Sequence, residues 1–213
     1  MSCVRHSMRF RALLITVLFA LLAACASNPS SLTRAYLDTG TGVTVTASQV
    51  PLVLYRDNPA AAAYARNVVH LGPVEVNRSG EYRYFLWVGI WDTLQSTNES
   101  LSRDGFETII ITVDSESMAL DLAGWTPAAI DASAPVYLRP VASASEAYYP
   151  LTVDQIRFIA EARSVTLRTT GSSPREYVLW SGQHGAREAL VTFLDQVGYG
   201  KSRFGQTASR QTN

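Results

Sequence analysis

Few residues in this 213-residue chain are placed to do chemistry. Only His70 and His184 lie beyond an apolar amino-terminal leader. A zinc site usually takes roughly three or four His, Cys, Asp or Glu ligands. Two distant histidines, with no HxH or HExxH spacing, argue against a metal. His184 sits in Ser181-Gly182-Gln183-His184-Gly185, just before a helical pattern. Helix starts attract anions, but the segment reads first as a loop leading into a helix. No GxSxG elbow marks a serine nucleophile, and Ser181 stands too close to His184 in sequence for the usual triad. Carboxylates are scattered at Asp92, Asp104, Glu107, Asp114, Glu116 and Asp121. Asp114 and Glu116 have the types for glycosidic or calcium chemistry, yet Asp-Ser-Glu-Ser is also an ordinary hairpin turn. The glycines of Thr39-Gly40-Thr41-Gly42 precede a strand and do not join a strand to a helix, so a phosphate loop is not indicated. The residues assign no catalytic group, no metal and no cofactor.

The aromatic residues are the more concentrated signal. Tyr82, Tyr84, Phe85, Trp87 and Trp91 crowd one segment, with Trp125, Tyr148, Tyr149 and Trp180 elsewhere. Such rings serve as core, or as a surface for peptidoglycan sugars, lipid or a protein partner. Trp87, Trp91 and Trp125 are the candidate binding residues.

Cysteine usage points to the amino terminus. The chain has two cysteines, Cys3 and Cys25. Arg5, Arg9 and Arg11 open the chain without an acidic residue, and Ala12 to Ala24 is apolar except for Thr16. As a helix that run covers about 20 Å, too short for a hydrocarbon core of about 30 Å. A positive start, a short apolar run and small residues before a cut make a secretory signal. Leu22-Ala23-Ala24-Cys25 resembles the lipobox of bacterial lipoproteins, in which a leucine and two small residues precede the cysteine to be lipidated. The resemblance covers residues 1–30 only, and no family is recognised beyond it. It implies cleavage before Cys25 and acyl chains on that thiol. Ala26 in the following position implies the outer membrane of a Gram-negative cell, with the domain facing the periplasm; the inner membrane and the cell surface remain alternatives. Two or three chains hold firmly, because each buried CH₂ contributes about 0.8 kcal/mol.

Composition narrows the partners. The precursor has 18 basic and 18 acidic residues. Loss of three arginines with the signal leaves 15 basic against 18 acidic, a net −3. That argues against nucleic acid. With both cysteines accounted for, the mature chain has no thiol for a disulfide or a thiolate metal site.

The elements that must position these residues follow from pattern. Residues 25–34 read as a polar tether, its last few residues equally as an ordered arm. Val43 to Thr46 and Pro51 to Arg56 are strands. Asp57-Asn58-Pro59 opens a short helix over Ala60 to Arg66. Val68 to Val76 and Glu81 to Trp91 flank the turn Asn77-Arg78-Ser79-Gly80. Alternation puts Tyr82, Tyr84, Leu86, Val88 and Ile90 on one face, and Arg83, Phe85, Trp87, Gly89 and Trp91 on the other. Both faces turn apolar, which predicts a central strand covered on two sides. A loop from Thr93 to Gly105 leads to a hairpin of Glu107–Val113 and Ser117–Leu122. Gly124 to Ala134 is irregular, and Val136 to Val141 is strand-like. Thr152 with Gln155 makes a capping box, and Leu151 with Ile156 a hydrophobic staple, for a helix to Arg163. Val165–Thr169 and Glu176–Trp180 are strands, and Ala186–Val197 is a helix stopped by Gly198.

These elements describe an α+β chain: a β-rich, mostly antiparallel sheet or sandwich with two to three short helices packed on it. Residues 1–24 are the lipoprotein signal, 25–34 the anchored tether, 35–200 one domain and 201–213 a flexible polar tail. The function expected is that of a membrane-anchored envelope lipoprotein, a non-enzymatic binding or accessory module with an envelope protein or peptidoglycan as partner. An envelope hydrolase working through carboxylates, and a lipid or glycolipid carrier, are the alternatives.

Overall fold

A computed structural model describes residues 32–94 and 103–208, with side chains to residue 198. The chain divides into Met1–Ser31 and Leu32–Asn213. The expected signal, Cys25, most of the expected tether, residues 95–102 and residues 209–213 lie outside the described residues.

Among the described residues ten strands and two α-helices follow in this order: β1 (Thr33–Asp38), β2 (Val43–Ser48), β3 (Leu52–Asp57), β4 (Arg66–Arg78), β5 (Glu81–Asp92), β6 (Thr108–Val113), β7 (Glu116–Asp121), β8 (Ser145–Leu151), α1 (Val153–Glu161), β9 (Val165–Thr169), β10 (Glu176–Leu179) and α2 (Ala186–Ala208). Every strand pairing is antiparallel. β4 is long enough to hold two partners along one edge. β3 takes its first half and β2 its second, with β5 along the other edge. From β3 the sheet continues through β10, β9 and β6 to β7, and from β5 it continues to β8. The path then returns on itself. Past β7, the Ala123 N–H donates to the Tyr148 carbonyl (2.8 Å) and the Tyr148 N–H to the Gly124 carbonyl (3.0 Å). The β1–β2 hairpin stands off this circuit as a flap on the second half of β4.

Alternation sorts the side chains into two cores. The inner one gathers Leu54, Leu71, Leu86, Val88, Ile109, Leu167 and Tyr149 with Ile156 and Ile159 of α1 and Leu190 and Phe193 of α2. The other lies on the opposite face of β5, where Val45, Val74, Phe85, Trp87 and Tyr148 meet Ile130, Val136 and Tyr137. β5 is therefore covered on both faces along much of its length, as its two apolar sides predict. A short 3₁₀ turn at Pro127–Ile130 and the irregular segment after it supply that second cover.

Several expectations are corrected. Ala60 to Arg66 is not a helix but a pair of turns, with Ala61 N–H on the Asn58 carbonyl and Ala65 N–H on that of Ala62. Asp57 pairs with Arg66 across β3 and β4, so the loop must reverse within a few residues and cannot afford a costly helix nucleus. Val136 to Val141 is not a strand; Val136 and Tyr137 are buried in the second core while Leu138, Arg139 and Pro140 run along the surface. The tether gives way to β1 already at Thr33. α2 runs on through Gly198 to Ala208, beyond the stop expected there and into the expected flexible tail. A helix-interior glycine costs only about 1 kcal/mol, too little to end the helix by itself. Ser145–Leu151 forms β8, which the pattern does not suggest.

Candidate functional site

The register of β10, β3, β4 and β5 determines what the outer face carries, because residues opposite one another point the same way. One row is Val178, Tyr55, Val68 and Trp91. The next is Val53, His70 and Gly89, extended by Trp180, whose N–H donates to the Val53 carbonyl (2.9 Å). A third row pairs Gly72, Trp87 and Tyr148. The third row is closed over, whereas the first two stay largely open.

Glycines let the closed row pack. A Cβ on Gly72 would overlap the phenol ring of Tyr137, and one on Gly89 the far edge of the Trp87 indole. Tyr137 stacks on Trp87 with 4.4 Å between ring centres. Trp87 is 1% exposed, so as folded it is core and offers no ring to a ligand. Its Nε1 donates to Glu146 Oε2 (3.3 Å), which also accepts from the Tyr148 hydroxyl (3.2 Å). Arg139 Nη2 stands 3.4 Å from the other carboxylate oxygen. A buried carboxylate with three donors around it satisfies the rule that buried charge must be paired.

The open rows carry the half-exposed rings. Trp180 and Val178 are 46% and 41% exposed, and Tyr55, His70 and Trp91 are half-buried. Trp91 Nε1 donates to His70 Nε2 (3.4 Å), with the rings edge to face at 5.9 Å. Burial holds the His70 imidazole below its ordinary pKa, in the neutral form that can accept this bond. The Arg66 guanidinium lies over the Tyr55 ring at 5.0 Å and pairs with Asp57 (3.0 Å). Tyr64, in the loop after β3, and Leu94, just past β5, add exposed apolar surface near the same strand ends. Strands lie about 4.8 Å apart, so the four strands give a platform roughly 15 Å wide.

The other residues singled out in the sequence lie apart from this face. Trp125 packs against the inner core, with Arg103 over its ring at 5.0 Å. Asp114, at φ 53° in the β6–β7 turn, accepts from the N–H groups of Arg163 (3.0 Å) and Ser164 (2.9 Å). These bonds, Ser164 above all, hold its pKa below the ordinary carboxylate range. It acts as a latch between the hairpin and the start of β9. His184 is exposed beside Gln183, whose Oε1 accepts from the Val53 N–H (2.8 Å) and fixes that loop to β3. Among the described residues no group of three or more His, Cys, Asp or Glu is placed to hold a metal ion.

Of the three candidate tryptophans, only Trp91 belongs to the open face. Its companions His70, Tyr55 and Trp180 were not singled out for binding, because cross-strand neighbours far apart in sequence meet only once register is known. Comparison with family models, with curated proteins and with solved structures finds no match to this chain.

Proposed function

We propose that this chain is an outer-membrane lipoprotein held by acyl chains on Cys25, and that its domain binds a ligand in the periplasm and is not catalytic. The binding surface is the open face of β10, β3, β4 and β5, and the ligand is a glycan strand of peptidoglycan. The observation that carries the reading is the set of half-exposed rings on two adjacent rows of a paired sheet, Tyr55 and Trp91 on one and Trp180 on the next. Flat aromatic surface supports the apolar faces of sugar rings, and Arg66 and His70 supply polar contacts at the ring edges. The hydrolase alternative loses its best carboxylate, because Asp114 is engaged by the backbone of Arg163 and Ser164.

Cosedimentation of the purified domain with isolated peptidoglycan tests this. Binding should weaken about tenfold or more for Trp180→Ala, an exposed position whose loss leaves the core intact. Unchanged cosedimentation, or capture of an envelope protein that the same substitution abolishes, would replace the glycan with another partner. Turnover of peptidoglycan that vanishes in Asp114→Asn or Glu116→Gln would restore the hydrolase.

A further inference from the structure

We infer that the segment Ala132–Ala144 is a second membrane contact, in which Leu138 enters the interface of the phospholipid surface that anchors Cys25. The inference rests on the lipoprotein reading above.

The segment is a strap that leaves the 3₁₀ turn, crosses the second core and joins β8. It has no repeating structure, yet it is pinned. The Ser133 N–H donates to Asp38 Oδ2 (2.6 Å), and its hydroxyl donates to the other oxygen of that carboxylate. The Val136 carbonyl accepts from Arg34 Nη2 (2.7 Å). The Tyr137 hydroxyl donates to the Pro73 carbonyl (2.9 Å). Leu138, next to this buried tyrosine, is 93% exposed. A leucine held outward by a pinned segment presents apolar surface at a fixed place, which a frayed loop does not. Ala134, Pro135 and Pro140 around it are exposed as well.

Charge and chain length identify the occupant. Between Asp131 and Glu146 the strap has no acidic residue and one basic one, Arg139. The two flanking acids are engaged, Asp131 by Arg83 and by Arg78 (3.5 Å), Glu146 by the groups already described. Half of the Arg139 side chain remains in solvent, available to a phosphate headgroup. Two of the strap's ties are to Arg34 and Asp38 of β1, the first strand after the anchor. The nine residue-to-residue steps from Cys25 to Arg34 reach at most about 30 Å when fully extended. The start of β1 therefore stays within that distance of the lipid surface, and the strap is held next to it by the Arg34 side chain. A segment with an apolar tip, no unpaired acid and a half-exposed guanidinium at that place suits an interface already populated by the protein's own acyl chains.

The test uses the full mature lipoprotein carrying Leu138→Cys, labelled with an environment-sensitive fluorophore. It is reconstituted in vesicles of phosphatidylethanolamine and phosphatidylglycerol. Glu116→Cys, at the far β6–β7 hairpin, is the reference. Intact mass first establishes whether Cys25 is acylated. In acylated, vesicle-bound protein the label at 138 should shift to the blue and be quenched several-fold less by iodide than the label at 116. Equal quenching at both positions in acylated protein overturns the strap contact and leaves the anchor standing. A blue shift that needs no vesicles and grows with protein concentration identifies a second copy as the occupant and also overturns it. Protein that is not acylated at Cys25 removes the lipoprotein reading and this contact together.

Discussion

Glu146 is the residue on which the second core most depends. Its carboxylate is 2% exposed and collects the Trp87 indole, the Tyr148 hydroxyl and Arg139. Glu146→Ala leaves buried donors without an acceptor and should cost about 1–3 kcal/mol in urea denaturation. Glu146→Gln keeps an acceptor and should cost less. His70 gives a residue-level pH dependence. Its folded pKa lies below the ordinary 6.5 because the imidazole is buried. As pH falls through 6.5 the unfolded chain takes up a proton that the folded chain resists, so this contribution to stability is full above 6.5 and declines below it. Urea midpoints measured on either side of that value should diverge, and His70→Gln should flatten the difference. The sequence alone gives neither residue this role. A lone glutamate among alanines and serines, or one histidine in an apolar run, acquires a role only when strands distant in sequence bring Trp87 or Trp91 beside it.

Elements were legible where their signals are local. Thr152 and Gln155 make both bonds of the capping box, at 3.2 and 2.8 Å, and Ile156 and Ile159 point into the inner core. Thr152→Ala should lower stability by about 1 kcal/mol, and Ile156→Ala, at a fully buried site, by about 2–5 kcal/mol; both are read by thermal or chemical unfolding. β5 was equally legible, since its alternation is long and apolar on both sides. Elements whose shape depends on remote partners were not. β8 carries a proline at Pro150 and an acid at Glu146, which spoil its pattern. It is a strand because Tyr84 to Ile90 of β5 offer it an edge. Pro150 is tolerated opposite Phe85 because a proline has only to keep its missing N–H away from a partner strand. The strap after Ile130 shows the converse. Val136 to Val141 has strand-like composition, but Tyr137 fills the space above Gly72 and Arg34 holds the Val136 carbonyl, and these remote ties direct its path.

For the whole molecule, the α+β class and the antiparallel sheet follow from the count and spacing of strands and helices. The order of strands does not, because β4 shares one edge between β2 and β3 and the sheet path closes through Gly124 and Tyr148. A chain lacking residues 1–31 should melt in one cooperative transition, insensitive to EDTA and to reductant, since both cysteines lie in the deleted part. Two transitions in calorimetry, or a midpoint lowered by chelator, would contradict this. The place of β10 carries a consequence in time. It is the last strand made, yet it sits between β3 and β9, with Val178 and Leu179 against Tyr55 and Leu54. Until residue 179 is available, β3 and β9 have no strand between them, and the β7 end of the sheet meets the rest only through the bonds of Ala123 and Gly124 to Tyr148. Contacts so distant in sequence form slowly, and a nascent chain cannot complete this sheet while its last segment is still in the ribosome. On the lipoprotein reading proposed above, that delay would help a chain threaded through a translocon before it folds.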